Sequence, residues 1–299
     1  MLSDRGKSQL WFHGIVLIWG FTAVLGALIT IDALPLVWFR MGIAALSIFV
    51  FVRFKGISLK AKRKQVLAMA FAGCVIALHW VTFFGAIKLA NVSITLAMMS
   101  TGALFTSVLE PLFYKRKFIG YELFFGLLVI LGLYLILQVE TQYTTGILVA
   151  LFSAFLASVF TLINGKFAQK YRPVVISFYE LLAGFGCITL LLLVTQRFDI
   201  TLFQIPAMDY VYLLVLGTIC TGFAFIVAVR VMKHLSPYTV MLTTNLEPVY
   251  GILLAVFILG ESEKMNLGFY CGAGLILITV IANGMLKRRQ NPDKVPLSE

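Results

Sequence analysis

The 299-residue chain is 61% hydrophobic and only 12% charged, with a mean hydropathy of +0.98 and a formal net charge of +11. That composition excludes a soluble domain, which needs far more polar surface, and makes the chain a polytopic membrane protein. The net charge would suit nucleic acid or an acidic partner, but the charges sort by loop, so no nucleic acid is expected.

Apolar runs recur along the whole length, and the pattern predicts ten spans: 11–30, 34–52, 66–88, 92–114, 118–138, 146–165, 174–194, 210–231, 238–259 and 267–286. Each is close to the roughly 20 residues that a spanning helix needs. The loops between them leave no room for a soluble domain. Arg5 and Lys7 precede the first span as they would a signal peptide, but its length and its later counterpart argue that it is retained. The four cysteines, Cys74, Cys187, Cys220 and Cys271, lie inside apolar runs without ligand spacing and are expected to pack.

With a cytoplasmic N-terminus, the inner segments hold Arg5 and Lys7, then Arg53, Lys55, Lys60, Lys62, Arg63 and Lys64, then Lys115, Arg116 and Lys117. They also hold Lys166, Lys170, Arg172 and Lys233, and finally Lys287, Arg288, Arg289 and Lys294. Only Lys88, Arg197 and Lys264 fall outside, among most of the loop acids. The positive-inside rule then places both termini in the cytoplasm, in an inner (cytoplasmic) membrane.

The two halves repeat. Gly14 matches Gly146, Pro35 matches Pro173, Ile87-Lys88 matches Met232-Lys233 and Gly126 matches Gly272, with offsets growing from 132 to 146. The expected units are residues 1–140 and 141–290, followed by a polar cytoplasmic tail, 291–299. Five spans is an odd number, so the second unit must be inverted relative to the first. Inverted repeats are the architecture of alternating-access transporters, with the site at the midplane.

The ninth span, SPYTVMLTTNLEPVYGILLAVFILGE (Ser236–Glu261), is the most informative. Ser236 is suited to cap its helix, with Pro237 at the first helical position. Glu247-Pro248 falls near mid-span. A carboxyl at that depth costs at least ~2.5–3.5 kcal/mol unless it faces a cavity or a partner. Pro248 also frees the carbonyl of Thr244. Glu247 is therefore the first candidate for a substrate amino group or a proton, with Thr243 and Tyr250 on its helical face.

Three stretches carry a resemblance to the EamA family of the drug/metabolite transporter superfamily. LIWGFTAVLGA (Leu17–Ala27) is similar to that family's Trp-Gly start. FFGAIKLANVSITLAMMSTGALF (Phe83–Phe105) is similar to its junction between third and fourth spans, and LEPVYGILLAVFILGE (Leu246–Glu261) to its Pro-centred helix. The resemblance covers nearly the entire chain. It implies an all-α membrane fold of ten helices as two inverted five-helix repeats, and export of amino acids or other small metabolites. It also implies a cavity lined by the first, third and fourth helices of each half, with the second peripheral. The first repeat departs from the pattern: aligned at an offset of 146, Gly102 replaces Pro248, Thr101 replaces Glu247 and Lys115 replaces Glu261. Glu110-Pro111 is out of register with the later Glu-Pro pair and near a cytoplasmic end, where Glu110 can pair with Lys115–Lys117 or serve a gate.

On the implied cavity helices the candidate substrate contacts are Glu247, Thr243, Tyr250, His79, Trp19, Phe83, Met98, Thr101, Ser158 and Phe225. His79 can equally satisfy a neighbouring carbonyl, and most aromatics pack or face lipid. Arg40 and Glu180 are near-counterparts 140 residues apart, on opposite sides of the bilayer because of the inversion, and are expected to be anchors or gate residues rather than partners. Pro248 and Gly102 are the expected flex points. No metal site, cofactor or GxxxxGK[ST] motif is evident, and no catalytic set supports an intramembrane enzyme. The expected function is secondary transport that exports amino acids or analogues, with the lipid bilayer, a small molecule and protons as partners. A proton-independent uniporter or exchanger of nucleotide sugars, lipid carriers or drugs is the alternative.

Overall fold

The computed structural model describes residues 3–115 and 121–290. Arg116, Lys117 and the expected tail 291–299 lie outside the described residues. The described chain runs α1 (Asp4–Leu28), α2 (Ala33–Phe54), α3 (Arg63–Leu89), α4 (Val92–Met99), α5 (Gly102–Tyr114), α6 (Tyr121–Val139) and α7 (Thr144–Lys170). It continues through α8 (Pro173–Val194), α9 (Ala207–Gly217), α10 (Ala224–Val231), α11 (Pro237–Thr244), α12 (Glu247–Leu259) and α13 (Leu267–Gln290). Among the described residues, 8 helical stretches are long and apolar enough to cross a membrane, and two more, Phe124–Val139 and Leu267–Asn283, are apolar but shorter. The chain is an all-helical, multi-pass membrane protein.

Two of the stretches are broken near the middle. Between α4 and α5, the hydroxyls of Ser100 and Thr101 donate back to the carbonyls of Ala97 and Met98, competing with the helical ladder. Between α11 and α12, Asn245 and Leu246 form the joint, and Pro248 falls in the first turn of α12, where its missing N–H is tolerated. The Ser236 hydroxyl accepts from the Thr239 N–H with Pro237 at the first position, as the residues predicted. Both pairs of helices are offset by 145 residues (Val92 to Pro237, Gly102 to Glu247), not 146. Gly102 thus stands opposite Glu247, and the register of the sequence alignment is corrected by one.

Small residues let the helices approach closely. The α3–α8 crossing is built on Gly73 and Gly184, and α6 crosses α13 at Gly132 and Gly272. At each crossing, a methyl group on either glycine would lie under 3.0 Å from backbone of the other helix. Without a hydrophobic driving force between helices in lipid, such close contact is what gains dispersion energy. Only Cys220 packs inside; Cys74, Cys187 and Cys271 are exposed, contrary to expectation, because an apolar helix in a bilayer has an outward face as apolar as its inward one.

At the end of the bundle where α1 stops and α4 starts, the halves are interlocked by buried carboxylates. Asp209 Oδ2 accepts from the Thr30 N–H (3.0 Å) and hydroxyl (2.7 Å). Glu263, just past α12, accepts from the N–H groups of Val92 (3.0 Å) and Ser93 (2.9 Å), at the N-terminus of α4. Asn91 completes that cap by accepting from the Ile94 N–H. Lys88 donates to the carbonyl of Ile29, and Asn266 to Glu140 at 2.7 Å.

Candidate functional site

A buried cavity of about 80 Å³ lies between the halves, with walls from α1, α2, α3, α4, α7, α10, α11 and α12. A larger groove of about 530 Å³ runs along α2 and α8, but its lining from Trp38 to Phe203 is almost wholly apolar and offers nothing to orient a polar solute. The central cavity differs in holding Arg40, His79, Asn164 and Glu247 among aromatic walls.

Arg40 projects into this cavity from α2, which corrects the expectation that the second helix is peripheral. Its guanidinium lies 4.0 Å from the centroid of Trp80 and 5.3 Å from that of Phe84, a cation–π clamp. Its Nε–H donates to Thr221 Oγ1 at 2.7 Å, and the Thr221 hydroxyl in turn donates to the carbonyl of Leu216. That geometry depends on a π-helical turn, Thr218–Phe223, between α9 and α10. The extra residue in the turn aims Thr221 at α2, and Gly217 and Gly222 let α2 sit against it. Thr221→Val keeps the shape but leaves Arg40 Nε without its acceptor. A loss of about 1–3 kcal/mol is expected, read as a lower unfolding midpoint in detergent.

Glu247 opens α12 and faces the same cavity. Close approach of Gly20 on α1 to Gly251 and the Glu247 carbonyl brings Trp19 and Thr22 beside it. Arg40 and Glu247 both line this cavity. Among the described residues, however, they form no ion pair within 4.0 Å.

His79 is anchored on one side only. Ser153 donates its hydroxyl to the carbonyl of His79, and His79 Nδ1 lies 3.0 Å from the carbonyl of Ser153. That carbonyl can only accept, so Nδ1 carries the proton and a neutral ring keeps Nε2 as an acceptor. Phe83 and Phe160 pack on the ring at 6.1 and 5.2 Å between centroids.

Of the ten candidate substrate contacts, Glu247, His79, Trp19, Phe83 and Phe225 meet in the cavity. Thr243, Tyr250, Met98, Thr101 and Ser158 do not reach it. Thr244 and Met99, one position on, line the wall in place of Thr243 and Met98. Thr101 is tied to Met98, and Ser158 donates to the carbonyl of Gly102 at 2.7 Å, so it holds the α4–α5 joint. Gly102 approaches Met241 of α11, which brings the two broken stretches together. Glu110 is buried on α5, while Lys166 lies over Phe113 and Tyr114. Glu180 is buried behind the wall, hydrogen-bonded to Asn164. Sequence reasoning missed Asn164, Phe160 and Met241, and placed Arg40 elsewhere; an arginine within an apolar run was the available signal for the last. No group of three or more potential metal ligands occurs among the described residues.

Broken helices meeting around a buried cavity that holds both an arginine and a glutamate, in a multi-pass helical bundle, are the architecture of a membrane transporter. The EamA-like transporter family model matches residues 6–138 and 144–285, once for each repeat. The chain belongs to that family, within the drug/metabolite transporter superfamily. A solved structure, described only as the crystal structure of a protein, is similar with a TM-score of 0.69 and 18% sequence identity, covering 95% of this chain and 99% of the other. At that identity the likeness shows the fold alone. No curated protein matches.

Proposed function

We propose that the protein is a secondary transporter that exports amino acids or their analogues by alternating access. The observation that carries this reading is that one buried cavity holds a basic and an acidic side chain, Arg40 and Glu247, not joined to each other. Buried charges are costly unless compensated. A zwitterion bridges them: Arg40 takes its carboxylate and Glu247 its ammonium, each through a charge-assisted hydrogen bond. Trp19, Trp80, Phe83, Phe160 and Phe225 form the apolar walls, and the cavity, at about 80 Å³ in this conformation, widens in the cycle to admit an apolar or aromatic side chain. A nucleotide sugar would set its phosphates near Glu247 with only Arg40 to compensate them, which disfavours that substrate.

The ten helices form two inverted five-helix repeats, residues 1–140 and 141–290, with both termini in the cytoplasm of a cell whose inner membrane holds the protein. In that orientation the interlocked end, with Asp209 on Thr30 and Glu263 on α4, is the outer one. Breaking those contacts opens the outer path, while the joints at Ser100-Thr101 and Asn245-Leu246 flex.

Counterflow of labelled amino acids into proteoliposomes tests the reading. Wild type is expected to take up apolar or aromatic amino acids, and Glu247→Gln to lose about 10–100-fold in apparent affinity, the worth of one charge-assisted bond. Amino-acid esters and N-acetyl derivatives should compete poorly. Absence of counterflow for every amino acid would refute the substrate assignment.

A further inference from the structure

Asn164 of α7, in the cavity wall, and Glu180 of α8, behind it, are both fully buried. Asn164 Nδ2 donates to Glu180 Oε2 at 3.2 Å. The other two oxygens, Glu180 Oε1 and Asn164 Oδ1, are buried without a hydrogen-bond partner. A carboxylate and an amide oxygen can only accept, so exchanging the amide's ends does not supply the missing donor. A proton on the carboxyl supplies a donor that neither oxygen otherwise has. Asn164 also lines the cavity, so the pair is one side chain away from the transport path.

The elements packed on α8 carry no counter-charge for Glu180. These are α2, α3, α7 and α10. Arg40 of α2 is committed to Trp80 and Thr221, and His79 of α3 to Ser153. Cys74 of α3 is exposed, and Lys88 ends that helix on the carbonyl of Ile29. Lys166 of α7 lies over Phe113 and Tyr114. Arg53 of α2, Arg63 and Lys64 of α3, Lys170 of α7 and Arg230 of α10 are exposed, toward the helix ends. Among the described residues, no cation is hydrogen-bonded or ion-paired to Glu180. Glu247 shares its cavity with Arg40, whereas Glu180 has Asn164 as its hydrogen-bond partner and no cation paired to it among the described residues.

We propose that Glu180 and Asn164 form a proton-binding site that couples transport to the proton gradient. In the present conformation Glu180 is a neutral carboxylic acid. In the cycle it releases that proton past Asn164 to water in the cavity, becoming a carboxylate, and regains it when the cavity faces the other side. The coupling role rests on the transporter reading above; the bound proton does not.

Two measurements on the full-length protein decide it. Infrared difference spectroscopy on a pH step should show the carbonyl stretch of a buried protonated carboxyl in wild type, lost in Glu180→Gln. The glutamine is neutral, of the same size, and keeps an oxygen to accept from Asn164 Nδ2, so the variant is expected to fold. In proteoliposomes, the ratio of pH-gradient-driven to gradient-free amino-acid uptake should exceed one in wild type and fall to one in Glu180→Gln. A wild-type spectrum without the Glu180 band, or an undiminished gradient response in the variant, overturns the proposal. Loss of that response in Glu247→Gln but not in Glu180→Gln does the same and moves coupling to Glu247. If no amino acid is transported, the substrate reading has failed, and the infrared band alone still decides whether Glu180 holds the proton.

Discussion

Glu263→Ala is expected to destabilise the protein by about 2–5 kcal/mol, since it leaves two buried backbone N–H groups, of Val92 and Ser93, without an acceptor. The Ser93 hydroxyl loses its 2.9 Å contact with the carboxylate as well, though the carbonyl of residue 263 remains as an acceptor. The effect is large because the carboxylate lies at the N-terminus of α4, where the free N–H groups and the helix dipole both favour a negative charge. Glu263→Gln should recover less than half, because its amide carries one acceptor where two are needed and sets donors against donors. Thermal unfolding in detergent measures the loss. Hydrogen exchange locates it: the Val92 and Ser93 amides should lose protection first. Unchanged exchange there would show that the interlock does not hold the first half to the second.

Gly73→Ala is expected to cost about 3 kcal/mol or more, at the upper end of overpacking effects. Its methyl group would lie 2.2 Å from the carbonyl oxygen and 2.9 Å from the carbonyl carbon of Glu180, both backbone atoms that cannot rotate away. The helices α3 and α8 must therefore separate. That movement reaches the cavity, since α3 also carries His79, Trp80 and Phe83. Lower thermal stability should accompany weaker substrate binding. Gly85→Ala on the same helix has nothing within 4 Å and serves as the control, with an effect near zero. Equal effects at the two positions would contradict the close crossing.

Eight of the ten expected spans, the repeat and the break in the Ser236–Glu261 stretch were legible in the residues because each is written locally. Length and apolarity set the spans, Ser236 and Pro237 mark a helix start, and Glu247-Pro248 cannot pass unnoticed in an apolar run. The outcome for individual side chains was different. In a soluble helix the polar face marks solvent and the apolar face the core. Here both lipid and core are apolar, so periodicity does not say which way a residue points. Met98 and Met99, or Thr243 and Thr244, were equivalent in the sequence, and only packing chose Met99 and Thr244 for the cavity.

Residues far apart in the chain were harder still. Arg40 reaches the cavity because a π-helical turn, 178 residues later at its first residue, presents Thr221 to it and Trp80 receives its guanidinium. Glu180 meets Asn164 because α7 and α8 pack together there, a pairing that neither residue announces in the sequence. By itself the sequence determined that this is a two-repeat membrane transporter with an acid at mid-span. Only the tertiary structure decided which charges share the cavity and which lies behind its wall. That choice depends on the helix rotation and close crossing set by glycine contacts such as Gly73 with the Glu180 backbone, which no local pattern encodes.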